Sequence, residues 1–114
     1  MNVDVRKIKD VVIVDFNGRL VAGDGEEALG LVVNKLLAEQ NKKILLNFSK
    51  VEFIDSTGLG VLVQSFKASQ RAGAALKLLR PQDRVRKTLN LTKLLPLFEV
   101  HETETEALKS FNGS

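Results

Sequence analysis

Several kinds of residue are scarce or missing in this chain of 114 residues, and each absence excludes a class of function. There is no cysteine, so neither a disulfide framework nor a thiolate metal site is possible. The single histidine, His101, and scattered carboxylates make a poor candidate for a metal centre. No apolar run approaches the length of a membrane span, and the first residues lack the apolar core of a signal peptide. We therefore predict a cytoplasmic protein that has no cofactor and does not contact a membrane.

The rest of the composition is that of an ordinary globular protein, with 44% hydrophobic and 27% charged residues. This length is enough for one core and too short for two, so we predict one domain over 1–114. The formal net charge is +3, and the cations are concentrated between Lys67 and Lys93. That stretch contains no aromatic residue on which a base could stack. Solvated helix faces are a better interpretation than nucleic-acid binding, which rests on charge alone.

Apolar periodicity predicts five strands. Two runs rich in β-branched residues flank Lys9-Asp10, which predicts a β-hairpin, and Asn17-Gly18 is predicted to break its second strand. The apolar run 44–48 predicts a short, buried central strand. A further strand is predicted over 75–79 and a final edge strand over 97–100, after a proline.

Four helices are predicted between and after these strands; they begin near Asp24, Ser56, Gln82 and Thr103. Strands that alternate with helices after an initial hairpin are typical of an α/β domain. We expect a mixed, mainly parallel sheet with an N-terminal β-hairpin and about four helices.

The segment before the first helix, 23–28, matches the letters of a G-x-G-x-x-A dinucleotide fingerprint. Three carboxylates would face the pyrophosphate there, so this interpretation is poor. A capping box with Asp24 as the N-cap and Glu27 three residues later explains the same letters better.

The stretch 51–62 joins an apolar run to a helical pattern through Asp55, Ser56 and Thr57. Such side chains accept hydrogen bonds from the free N–H groups of a first helical turn. The helix is therefore predicted to begin between Asp55 and Gly58. Gly58 and Gly60 lower helix propensity, and we expect their missing side chains to leave Ser56 accessible and let another surface approach.

The string Phe53-Ile54-Asp55-Ser56-Thr57-Gly58-Leu59-Gly60-Val61-Leu62 resembles the phosphorylation motif of bacterial anti-sigma factor antagonists, which are STAS-domain proteins. The resemblance extends to the length and element order of the chain. It implies that the unphosphorylated protein binds an anti-sigma factor with serine kinase activity, that phosphorylation of Ser56 releases this partner, and that a serine phosphatase restores binding. The partner-binding residues that it implies are Asp55, Ser56, Thr57, Gly58, Leu59, Gly60, Leu20 and Asp24.

One position departs from the family pattern. Family members usually carry an aspartate at the end of the segment that reads Gly18-Arg19-Leu20-Val21 here, and Val21 takes its place. Asp24 is the acid that we expect to take over part of its role.

Other functions find less support in the sequence. Ser56, Asp55 and His101 invite comparison with a hydrolase triad, but the G-x-S-x-G elbow is missing, as is a P-loop, and we predict that the protein is not an enzyme. The alternative hypothesis is a STAS-domain scaffold, or a soluble subunit of a transport or signalling complex, that lacks a phospho-switch.

Overall fold

Five strands form one sheet in the computed structural model, which describes residues 1–112. They are β1 (Asn2–Ile8), β2 (Val11–Leu20), β3 (Lys43–Ile54), β4 (Ala75–Leu79) and β5 (Val100–His101), and they lie in this order across the sheet. β1 pairs antiparallel with β2, and every other neighbouring pair is parallel. The predicted α/β class, with a mixed and mainly parallel sheet after an N-terminal hairpin, is confirmed.

Four helices connect and cover the strands: α1 (Asp24–Ala38), α2 (Ser56–Arg71), α3 (Asp83–Leu91) and α4 (Glu104–Phe111). The first three pack on one face of the sheet, where the larger apolar cluster lies. α4 covers part of the other face through Ala107 and Phe111. Within residues 1–112, no helix combines the length and the apolar character needed to cross a membrane.

Side chains of β3 point alternately to the two faces of the sheet, and they contribute to the apolar cluster on each face. Leu46 and Phe48 point toward the larger cluster, Leu45 points toward α4, and all three are fully buried. Phe48 meets Phe16 of β2 edge to face, with ring centroids 5.6 Å apart. The prediction of a buried central strand is confirmed, because β3 is the third of five strands.

Three boundaries differ from the sequence predictions. β2 does not break at Asn17-Gly18; it continues to Leu20 through register shifts on both sides, because Gly18 adopts a φ of 135° that a bulge accommodates. β3 continues past Phe48 to Ile54. The last strand is not at 97–100, because Leu95–Leu97 form a 3₁₀ turn and Phe98 is buried in the core, so that pairing begins only at Val100.

The start of α1 also corrects a prediction. Its N-cap is Gly23 rather than Asp24, and the residue that reaches back is Glu26, whose Oε1 accepts the N–H of Gly23 at 3.3 Å. Gly23 has a φ of 88°, a conformation that suits glycine, and this places the cap one residue earlier than the side chains suggested.

Candidate partner-binding site

The junction between β3 and α2 is held by Asp55, the N-cap of α2. Its Oδ1 accepts the N–H of Gly58 at 2.8 Å, and its Oδ2 accepts the N–H of Ala22 at 3.0 Å. These hydrogen bonds to the ionised form lower the pKa of the Asp55 carboxyl from its ordinary value. One carboxylate therefore caps α2 and ties it to the loop between β2 and α1.

Ser56 and Thr57 are the first two residues of α2, and both are exposed. The helix begins within the predicted interval. Asp55 supplies the cap, so the hydroxyls of Ser56 and Thr57 form no hydrogen bond within residues 1–112. Ser56 is thus a solvent-facing hydroxyl at the positive end of a 16-residue helix.

The two glycines of the motif have different environments. A Cβ on Gly58 would lie 2.2 Å from the carbonyl oxygen of Leu20, so Gly58 permits a close contact inside the molecule. A Cβ on Gly60 would meet nothing within 4 Å. Only Gly60 therefore fits the expectation that a missing side chain leaves room for another surface.

Two predicted contact residues are unavailable as side chains. Leu20 is 0% exposed and Leu59 is 8% exposed, and both belong to the apolar core. Burial limits what these two side chains can offer a partner, and their contact with a partner stays a prediction. Leu20 instead uses its carbonyl oxygen, which accepts the N–H of Asp55 at 3.2 Å and packs against Gly58.

Asp24 lies at the first position of α1, and its side chain is 76% exposed. It pairs with the N-terminal ammonium group of Met1. Val21, at the position where an acid was expected, is half-buried, and its carbonyl oxygen accepts the N–H of Glu26. The Ala22–Asp55 hydrogen bond brings this loop next to the start of α2, as the predicted site requires.

A further group of side chains at this end of the sheet was not predicted from the sequence. The guanidinium carbon of Arg19 lies 5.9 Å from the ring centroid of Phe53, and that of Arg84 lies 5.4 Å from the same centroid. Phe53 belongs to the recognised motif, but α3 brings Arg84 to it from 31 positions later. No local spacing signals such a contact.

His101 is engaged elsewhere. It lies on β5, and its Nε2 is 2.6 Å from Oε2 of Glu99, which also pairs with Lys77 at 2.8 Å. The hydrogen bonds from Lys77 and His101 lower the pKa of the Glu99 carboxyl. Within residues 1–112, no hydrogen bond joins His101 to Asp55 or Ser56, and no group of three or more metal-ligating side chains forms.

The family follows from the comparison of sequences. The STAS domain model matches residues 2–107, and the chain belongs to the STAS-domain family. Within that family it belongs with the anti-sigma factor antagonists. A protein of Thermotoga neapolitana that is named by homology as an anti-sigma factor antagonist is 34% identical, over 93% of this chain and 94% of that protein. The anti-sigma-B factor antagonist of Bacillus subtilis is 29% identical, over 88% and 90%.

Solved structures show the same fold. The unphosphorylated form of the anti-sigma factor antagonist SpoIIAA superposes with a TM-score of 0.76 at 18% identity, covering 99% of this chain and 100% of that one. The phosphorylated form of the Bacillus SpoIIAA gives a TM-score of 0.74 at 20% identity, covering 96% and 99%. At these identities the likeness concerns the fold alone.

Proposed function

We propose that this protein is a phospho-switched anti-sigma factor antagonist. Unmodified, it binds an anti-sigma factor with serine kinase activity and so frees a sigma factor. Phosphorylation of Ser56 releases that partner, and a serine phosphatase restores binding. The proposed contact surface consists of Ser56, Thr57 and Gly60, with Asp55 and the loop around Asp24 beside them.

The observation that carries the proposal is the position of Ser56. Its hydroxyl is exposed on the first turn of α2, where a kinase can reach it and where a partner surface would contact it directly. The neighbouring Gly60 leaves the helix surface bare, since a side chain there would meet nothing within 4 Å. The relatives named above are antagonists, and SpoIIAA exists in a phosphorylated form, which supports a switch of this type.

The electrostatics of the junction favour a switch that leaves the fold intact. A phosphoryl group adds about −1.5 to −2 charges at pH 7. The helix dipole and the free N–H groups of the first turn attract an anion, whereas the Asp55 carboxylate repels it. These effects oppose each other, so the free energy of unfolding should change little. A partner that covers Ser56 would instead bury an unpaired charge, which is strongly unfavourable.

The test compares four forms of the protein by calorimetry of binding to the anti-sigma partner and by thermal melts. Ser56→Ala removes one hydroxyl, so binding should persist while phosphorylation is lost. Ser56→Glu and the enzymatically phosphorylated protein should both bind far more weakly, the phosphorylated protein most of all. Gln70→Glu adds the same charge near the other end of α2 and serves as the matched control.

The melting temperatures decide the mechanism. All four forms should melt close to the unmodified protein. If phosphorylated protein bound as tightly as unmodified protein, Ser56 would be only a helix residue and the scaffold hypothesis would be preferred. If phosphorylation lowered the melting temperature by many degrees, release would occur through unfolding and not through the contact surface.

A further inference from the structure

We propose that Arg19, Phe53 and Arg84 form a docking surface for an acidic protein segment, beside the Ser56 junction. We call these three residues the arginine platform. The inference rests on the proposed function in one respect, because it assigns a chemical character to the surface of the same partner. Its basis is the charge and geometry of the platform.

The two guanidinium groups share one ring and have no carboxylate partner among the residues that the structure describes. Arg19 and Arg84 lie 5.9 and 5.4 Å from the Phe53 centroid, in the range of cation–π contacts. Within residues 1–112, neither forms an ion pair. Arg6 and Arg86 provide the contrast, because they pair with carboxylates of Asp15 and Glu102 at 2.7 and 2.8 Å.

The ring attracts each guanidinium group, but the two like charges repel each other, and an anion that approaches both would offset this repulsion. The guanidinium group is planar and presents its N–H donors as a fork that matches a carboxylate. Contact with Phe53 restricts both side chains before a ligand arrives, which lowers the entropy lost on binding. The platform is therefore prepared for carboxylates.

The position of the platform links it to the proposed partner site. Arg19 and Phe53 are register partners on β2 and β3, and the next pair, Leu20 and Ile54, immediately precedes the Asp55 junction. A partner that covers Ser56 reaches the platform by extending along this end of the sheet. An open cleft of about 440 Å³ continues the surface on the α3 side, and its charged lining consists of three arginines and two acids, Arg80, Arg84, Arg86, Asp83 and Glu102.

The absence of an acid at Val21 agrees with this assignment. Two residues after Arg19 the chain carries the uncharged Val21, and the exposed acid of the same loop, Asp24, pairs with the N-terminal ammonium group of Met1. A partner with a basic contact surface would be repelled there, and one with an acidic surface would be attracted.

An acidic protein segment fits better than nucleic acid. A single-stranded nucleic acid uses successive rings on which its bases stack. The platform has one ring, which the two guanidinium groups already contact. Carboxylates need only the exposed donors of Arg19 and Arg84.

The experiment titrates a capped hexaglutamate peptide into isotopically labelled protein and follows the arginine side-chain signals by NMR. The Nε–H signals of Arg19 and Arg84 should shift and saturate, and that of Arg71, at the far end of α2, should not. The double variant Arg19→Gln/Arg84→Gln should weaken peptide binding roughly tenfold. Arg71→Gln removes a charge from an exposed position away from the platform and should leave binding unchanged.

Three results would overturn the inference. The Nε–H signals of Arg19 and Arg84 could show no saturable shift, or that of Arg71 could shift equally. The protein could also bind an oligothymidylate of eight nucleotides more tightly than it binds the peptide. The peptide assay does not involve phosphorylation, so Ser56→Ala should behave as the unmodified protein. Binding to the anti-sigma partner separates the two proposals. Release by phosphorylation without any effect of the arginine variants would refute the platform alone, and the reverse result would refute the Ser56 switch alone.

Discussion

The starts of α2 and α4 are built differently, although both follow a side-chain cap. At α4, the cap Thr103 accepts the N–H of Glu106 at 3.2 Å, and the first turn supplies its own acids, Glu104 and Glu106. At α2, the cap Asp55 also accepts the N–H of Ala22 from another loop, and the first turn contains no acid. Among the described residues, the cap of α4 therefore bonds only within its own first turn, whereas the cap of α2 also makes a tertiary contact.

This difference shows how the proposed switch would fit into a stable fold. Acids in a first turn complement the positive end of the helix dipole. In α4 that complement is present, whereas in α2 the positive end beyond Asp55 faces solvent at Ser56 and Thr57. The start of α2 can accept a new anion there, and its anchoring through Asp55, Leu20 and Gly58 keeps it in place.

The largest expected loss of stability comes from the core beneath the junction, and the smaller effects predicted below can be compared with it. Leu46→Ala removes a fully buried side chain from the central strand, and it should lower the free energy of unfolding by about 2–5 kcal/mol. Urea unfolding of the variant and the parent measures this loss. A loss well under ~1 kcal/mol would show that β3 is not the central element of the core.

The anchoring of α2 is tested next by Gly58→Ala. The new Cβ would lie 2.2 Å from a backbone oxygen that cannot rotate away, so the free energy of unfolding should fall by about 1–3 kcal/mol. Gly60→Ala is the matched control, since it adds the same methyl group to open space on the same helix. It should raise stability by roughly 0.5–1 kcal/mol. Equal effects of both changes would contradict the close contact with Leu20.

The double role of Asp55 predicts a dependence on pH. Asn also caps helices well, but the amide nitrogen of Asp55→Asn cannot accept the N–H of Ala22, so the variant should be less stable at pH 7. The folded pKa of Asp55 lies below its ordinary value of 3.8, so its stabilising contribution is complete above that value and is lost as the pH falls through the folded pKa.

Urea unfolding at pH 7 and pH 3 measures this contribution. The difference between the parent and Asp55→Asn should shrink at pH 3. Thr103→Ala removes a cap that does not titrate, and its loss of about 0.5–1 kcal/mol should be similar at both pH values. If the stability difference between the parent and Asp55→Asn were the same at both pH values, the effect of the substitution would not come from the charge of the carboxylate.

Local pattern was sufficient to predict the order of the elements. The apolar spacing of Leu59 and Leu62 and the polar cluster before them placed the start of α2, because both signals act within one helical turn. The extension of β2 past Gly18 was missed, since a bulge depends on pairing with β3 and not on the glycine itself.

In the candidate site, too, local sequence predicted some features and others depend on tertiary contacts. Ser56 and Asp55 stand together in the sequence and were predicted together. The distinction between Gly58 and Gly60 could not be predicted, because it depends on the carbonyl of Leu20, which lies 38 positions before Gly58. For the same reason, the contact of Arg84 with Phe53 needed the tertiary structure.

The smallest expected effect addresses the difference between the two helix starts directly. If the first turn of α2 lacks an electrostatic complement, an acid placed there should stabilise the helix, and neutralising an acid of α4 should weaken it. Thr57→Glu and Thr57→Gln differ only in charge, so comparing them removes the effects of size and helix propensity. Thr57 is exposed, and the glutamate variant should be the more stable by about 0.3–1 kcal/mol at low ionic strength, less any repulsion from Asp55.

Glu106→Gln should lose a similar amount of stability at α4. Both differences should decrease in high salt, because exposed charges are screened. If Thr57→Glu were less stable than Thr57→Gln, repulsion from Asp55 would outweigh the dipole, and a phosphoryl group on Ser56 would then destabilise the junction.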